Sequence, residues 1–322
     1  MFRTLRWSIA VVFISSLVVI GIRIGAAQSE KPVVVLAYGD TRFTDPANVT
    51  ATNPIARKAL IARMAEERPD AIVISGDIPW HGGVAADYVE FRRETEVWRS
   101  LKIPILPATG NHEFSQCDPH ACLENWWTAF PELRGRRWHA ADAGSHVRIV
   151  ALDTMSPLVA GSEQRKWLER EIETLSPAVD FLIVALHHPP VADIQTRVRV
   201  DHNPRPNELA LADYLQATVS SHRVRIVVVA GHIHNYERFL QDEVTYLVSG
   251  GGGAVPYEVD RTPADLYKGI EFPNYHYIKL TIAGGRLRGE MFRLDEPTAP
   301  SPHFTMKDAF EVAAHPPDTK NQ

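Results

Sequence analysis

The sequence predicts an α/β fold, and three observations carry that reading. Short apolar runs of strand length recur along the chain, helical windows separate them, and the residues best suited to chemistry follow directly on the runs. Of the 322 residues, 45% are hydrophobic and 23% are charged, a balance that excludes a disordered or collagen-like chain. No linker rich in Pro, Gly and Ser divides the middle, so one large domain over residues 32–294 is expected. A chain of this size can bury a sizeable core without staples.

The elements follow in order. Val33–Tyr38 is a short apolar run, a buried strand. Asn53 and Pro54 then open a helix whose apolar residues recur through Met64. Ala71–Ser75 is a second strand, residues 84–100 a second helix and Ile105–Thr109 a third strand. Val147–Leu152 (strand), Glu163–Leu175 (helix), Phe181–Leu186 (strand), Glu208–Val219 (helix) and Arg225–Ala230 (strand) continue the alternation. From Thr245 the helices fade. Thr245–Ser249, His276–Ile282 and Arg286–Arg293 read as strands, with Gly284-Gly285 marking a hairpin. Residues 295–322 are rich in Pro and polar side chains and read as a tail.

The first residues read as a targeting segment. Arg3 and Arg6 precede an apolar run from Ser8 to Ile22, and Gly25-Ala26-Ala27 offers a cleavage site. A signal peptide over residues 1–27 is expected, with an uncleaved membrane anchor flanked by Arg23 as the alternative. Either fate exports the globular part to the periplasm or the extracellular side. The net charge is -5, from 34 Lys+Arg and 39 Asp+Glu, and no basic run stands out, so general nucleic-acid binding is not expected. Cys117 and Cys122 sit in one loop; a disulfide and two unpaired thiols are both open, and the spacing fits no zinc signature.

In α/β folds the loops leaving the carboxyl ends of strands carry the chemistry. Here the first strand ends in Gly39-Asp40, the second in Gly76-Asp77 and the third in Gly110-Asn111-His112-Glu113. The strand ending at Leu186 leads into His187-His188-Pro189, and the one ending at Ala230 into Gly231-His232-Ile233-His234. Any one of these is an ordinary loop. All five at strand ends, each rich in oxygen and nitrogen donors, point to metal binding.

This order resembles the calcineurin-like metallophosphoesterases, a family that includes the purple acid phosphatases. Gly110-Asn111-His112-Glu113 and the run Gly231-His232-Ile233-His234-Asn235-Tyr236-Glu237-Arg238 are the most specific pieces, the latter similar to the purple acid phosphatase branch. The resemblance implies a sandwich of two sheets flanked by helices. It implies two divalent or mixed-valence metal ions (Mn, Fe or Zn), with Asp77 bridging them. Asn111, His187 and His232 would complete one site, and Asp40 and His234 would serve the other. His112 would stand near the leaving group. The implied reaction is attack on a phosphate ester by metal-activated hydroxide.

Two departures bear on that reading. The family's Asp-x-His is Asp40-Thr41-Arg42 here, and the Tyr of Gly-Asp-x-x-Tyr is Trp80, whose indole is no metal ligand. His81 is a candidate substitute. Arg42 either grips substrate phosphate or pairs with a carboxylate such as Asp77 or Asp45. His188 is an ordinary loop residue, or it orients His187 or touches substrate; Asp153, Tyr236 and Glu237 read as supporting residues. Trp126, Trp127 and Trp138 either pack their loop or grip a leaving group. The expected substrate is a small-molecule or exposed phosphate ester, a monoester ahead of a diester. The alternative is a degenerate, non-catalytic binding or scaffold module, for which Arg42 speaks.

Overall fold

The computed structural model describes residues 31–193, 202–299 and 301–316. The segment 1–27, read as a signal peptide or anchor, lies outside the described residues. Among the described residues no helix is long and apolar enough to cross a membrane.

The strand β1 (Val33–Tyr38) shows why the early runs are apolar throughout. Val35 and Ala37 point into a core between two sheets, whereas Leu36 and Tyr38 point into a second core under helices. A strand covered on both faces cannot alternate apolar with polar residues. It pairs in parallel with β2 (Ala71–Ile74), which pairs in parallel with β3 (Ile105–Pro107). The outer face of this sheet is covered by α1 (Pro54–Glu66), α2 (Ala85–Glu94), α3 (Glu96–Ser100) and α4 (Pro119–Ala129). Asn53 caps α1, its side chain accepting from the N–H groups of Ile55 and Ala56, and Pro54 fills the first turn.

The second sheet holds β4 (His139–Asp142), β5 (Val147–Ala151), β6 (Phe181–Ala185), β7 (Arg225–Ala230), β8 (Tyr236–Gln241) and β9 (Val244–Ser249), in the order β4-β5-β6-β7-β9-β8. Helices α5 (Glu163–Glu173) and α6 (Pro206–Ser221) cover its outer face through Leu168, Ile172, Leu211 and Leu215. The chain then returns to the first sheet as β10 (His276–Ala283), β11 (Arg286–Leu294) and β12 (Phe304–Ala313), giving β12-β11-β10-β1-β2-β3. Two six-stranded mixed sheets with helices outside both make the layered α/β sandwich that the motif order implied.

Several expectations change. The stretch read as a tail forms β12, paired antiparallel with β11 over most of its length. It is an edge strand carrying Lys307, Asp308 and Glu311; such charges blunt an edge against further pairing and hide the strand pattern. The helix expected over 84–100 breaks at Thr95, whose hydroxyl bonds back to the Phe91 carbonyl at 2.6 Å. The break lets Trp98 bury fully and donate to the Ile61 carbonyl. Within the Cys117 loop lies α4, capped by Asp118, and Cys117 and Cys122 are joined as a disulfide. Trp126 packs against Phe130 in the helical core, which favours the packing reading of that residue.

Candidate metal centre

The parallel strands β1, β2, β3, β6 and β7 end on one edge of the sandwich, and their loops meet there. The first two loops are stitched together: Thr41 and Arg42 both donate backbone N–H groups to the Asp77 carbonyl at 3.0 Å. Asp40, Arg42, Asp77 and His232 all adopt positive φ, at 58°, 45°, 54° and 71°. Such backbone is costly outside glycine and clusters at sites whose surroundings enforce it. The glycines before Asn111 and His232 have a steric reason. A Cβ on Gly110 would collide with Asp77 Oδ1, and one on Gly231 would lie 2.5 Å from Asp40 Oδ2.

The first cluster joins Asp77, Asn111, His187 and His232. The Nδ1 of His187 donates to the Ser75 carbonyl at 2.9 Å, so Nε2 carries the lone pair. That Nε2 lies 3.0 Å from Asn111 Oδ1, 3.2 Å from Asp77 Oδ1 and 3.2 Å from His232 Nδ1. Four donor atoms thus crowd one another at ligand-to-ligand spacing, about 3.0–3.4 Å for metal bonds of about 2.1 Å. A set of lone pairs facing one another repels unless a cation lies among them.

The second cluster joins Asp40, Asp77 and His234. The Nδ1 of His234 donates to the Val255 carbonyl at 2.6 Å, leaving Nε2 aimed at Asp40 Oδ1 at 3.4 Å. Asp40 Oδ1, His234 Nε2 and Asp77 Oδ2 are all buried and lack hydrogen-bond partners. Three orphaned donors in one place fit a bound cation, since unpaired buried polar atoms are otherwise costly. The donor set is oxygen and imidazole without thiolate, which suits Mn, Fe or Zn.

The electrostatics follow the same geometry. Burial works against the Asp77 carboxylate, yet His187, His112 and Arg42 outweigh it and hold its pKa well below the usual range. Asp40 is pushed up to about 7 by burial, with Asp77 adding repulsion against the pull of His187. Burial keeps His232 and His234 neutral, with pKa values well below that of free histidine, as ligation requires. His112 is lowered to about 4, again chiefly by burial. Its Nδ1 donates to the Trp80 carbonyl at 2.5 Å, and its Nε2 stands 3.7 Å from Asp77 Oδ2.

All six expected metal ligands and His112 are brought together on this edge. Arg42 pairs with Asp77, its Nη2 lying 3.7 Å from Oδ2, and its guanidinium sits over the Trp80 ring. His81 turns Nδ1 to Ser115 Oγ at 3.1 Å and is in neither cluster. The His188 ring lies 4.2 Å from that of His232, with Nδ1 on Thr154 Oγ1 at 2.7 Å. Asp153 binds Arg137, and Glu237 accepts from the Asp193 N–H, both in supporting roles.

Three contributors escaped sequence reasoning. Tyr257 stacks on His234 at 4.0 Å, and burial raises its phenol pKa against the pull of nearby Arg42. The His202 ring lies 4.5 Å from that of His232. Glu113 is buried and accepts from the N–H groups of Asp77, Ile78 and Gly110 at 3.1, 2.8 and 2.6 Å, tying the Asp77 loop to the Asn111 loop. Only Glu113 carried a signal, being the last residue of Gly-Asn-His-Glu.

Comparison with known proteins agrees. Residues 33–236 match the family described as calcineurin-like phosphoesterase. A probable cyclic nucleotide phosphodiesterase of Rhodococcus erythropolis is 31% identical over 178 residues, covering 52% of this chain and 52% of that protein. A probable purple acid phosphatase of Arabidopsis thaliana is 24% identical over 217 residues, covering 61% of this chain and 48% of that protein. The chain therefore spans about half the length of these curated relatives. A solved purple acid phosphatase from yellow lupin seeds superposes with a TM-score of 0.68 at 19% identity, over 88% of this chain and 54% of that one, a likeness of fold. By its strand-end motifs, its two-sheet sandwich and this match over most of its length, the chain belongs to the calcineurin-like phosphoesterase family and resembles its purple acid phosphatase branch.

Proposed function

We propose that the protein hydrolyses phosphate esters at a centre of two metal ions held by Asp40, Asp77, Asn111, His187, His232 and His234. One observation carries the reading: the ligating atoms of these six side chains converge in two adjoining clusters that share Asp77, with Asp40 Oδ1, Asp77 Oδ2 and His234 Nε2 buried and unpartnered. Metal ions held there supply Lewis acidity and a water acidic enough to attack phosphorus near neutral pH.

The chain's own residues do the rest. Arg42, held over Trp80 and beside Asp77, presents a guanidinium to the phosphate oxygens. His112 has Nδ1–H committed to the Trp80 carbonyl, so Nε2 is the atom that exchanges a proton with the departing oxygen. A phosphate dianion beside the ring favours its protonated form, which a proton donor needs. Trp80 and Tyr257 give the mouth of the centre an aromatic lining.

The run Gly231–Arg238 is similar to the purple acid phosphatase branch and supports a monoester over a diester. The phosphodiesterase name of the Rhodococcus relative supports the converse. Initial rates with p-nitrophenyl phosphate and bis(p-nitrophenyl) phosphate separate the two: the monoester is expected to show the higher kcat/KM, and a higher value for the diester would reverse the assignment. The N-terminal segment supports export, with the substrate met outside the cytoplasm and with membrane anchoring as the other outcome; N-terminal sequencing of the mature protein decides, cleavage near Ala27 being expected.

A further inference from the structure

The two clusters are not equivalent. The first offers four protein donors: Asp77 Oδ1, Asn111 Oδ1, His187 Nε2 and His232 Nδ1. The second offers Asp40 Oδ1, His234 Nε2 and Asp77 Oδ2. Beside it stands the Arg42 guanidinium, 3.7 Å from Asp77 Oδ2 and over the ring of Trp80, whose indole nitrogen only donates.

Arg42 is not a swinging surface residue. Its N–H donates to the Asp77 carbonyl at 3.0 Å, and its own carbonyl accepts from the buried Arg57 at 3.3 Å. The side chain is 13% exposed and lies over the Trp80 ring. Arginine keeps its charge at any working pH. A permanent positive charge is therefore built in beside two buried carboxylates, Asp40 and Asp77.

We propose that Arg42 is a resident cation of the second cluster. It neutralises part of the carboxylate charge there, so the protein holds one metal ion tightly at Asp77, Asn111, His187 and His232 and takes the second, at Asp40, Asp77 and His234, only weakly. The inference rests on the two-cluster reading above. In a water-poor site a fixed charge repels an incoming divalent ion strongly, and the second site also has one donor fewer.

The test is metal binding by the full-length protein, with Mn(II) as the probe. Equilibrium dialysis with elemental analysis gives bound equivalents, and electron paramagnetic resonance separates isolated from coupled Mn(II). One equivalent should survive desalting with an uncoupled spectrum, and the second should bind at least about 100-fold more weakly. Arg42→Met, which removes the charge and adds no ligand, should tighten the second equivalent by about tenfold or more. Arg42→His, which also adds a ligand, should tighten it further and produce the coupled spectrum, whereas Arg42→Lys should behave as wild type. Two equally tight equivalents in the wild type would overturn the inference while leaving the two-cluster reading intact. A second constant unmoved by Arg42→Met and Arg42→His would overturn it too. No Mn(II) bound at either cluster would overturn both.

Discussion

Replacing Glu113 tests how the centre is held. The carboxylate is 1% exposed and accepts three backbone N–H groups, from Asp77, Ile78 and Gly110. Removing it in Glu113→Ala strands three buried donors, at about 1–3 kcal/mol each, or about 6 kcal/mol in the middle of that range. Against this stands the cost of burying an acid whose pKa is pushed up to about 8, chiefly by burial and then by Asp77. A folded pKa above the unfolded value means that the cost is absent below the unfolded pKa of 4.5 and grows as pH rises to about 8. At pH 7 it amounts to about 3 kcal/mol. The net loss for Glu113→Ala is then about 3 kcal/mol at pH 7, about 5 kcal/mol at pH 5 and about 2 kcal/mol at pH 8. Urea unfolding of the chelated protein, followed by circular dichroism at these three pH values, measures all of them. A loss below about 0.5 kcal/mol at pH 5, or a loss that grows with pH, would refute the reasoning.

Other consequences are as direct. Arg57 and Glu94 form a buried pair at 2.8 Å, with side chains 0% and 2% exposed. Arg57→Met removes the two-point partner of Glu94 and leaves it Lys58 and Arg93 at 3.9 Å; it should cost up to about 3–5 kcal/mol in urea unfolding, and Arg57→Met/Glu94→Leu should recover most of it; equal losses in both would contradict the pairing argument. His276 is buried between Ser249 Oγ and the Asn274 carbonyl, and burial lowers its pKa to about 4. A depressed histidine pKa favours the fold above the unfolded value of 6.5, and that stability is lost as pH falls toward 4. Up to about 3 kcal/mol should disappear across this window. His276→Asn should flatten that part of the pH profile, and an unchanged slope would count against it.

The parallel strands were legible because burial on both faces leaves nearly continuous apolar runs, as in Val33–Tyr38 and Phe181–Leu186. The ligands were legible for a related reason: each follows such a run within a few residues, so strand ends could be located and then read. Edge elements were not. In β8, Tyr-Glu-Arg-Phe-Leu-Gln mixes charge with apolar residues because Arg238 binds Asp308 and Glu237 is buried with a backbone donor. In β12 the same mixing passed for a polar tail. Tyr257 and His202 lie in loops with no periodicity, and only the fold of residues 250–275 and of the chain near 202 brings them beside His234 and His232. Arg42 was visible as a departure from a motif, but its place over Trp80 and beside Asp77 is set by loop geometry that no spacing encodes.

The proposal that this centre is a metal-dependent phosphoesterase is tested by removing and returning the metal. The full-length protein is stripped of metal, Mn, Fe, Zn or Mg is returned in turn, and p-nitrophenol release from both esters is followed, with Asp77→Asn and His112→Ala alongside. Turnover should require added metal, disappear in Asp77→Asn, and fall by about 10²–10⁴-fold in His112→Ala, as loss of a proton donor entails. Turnover indifferent to metal, or none with any metal in a protein that remains folded, would contradict it.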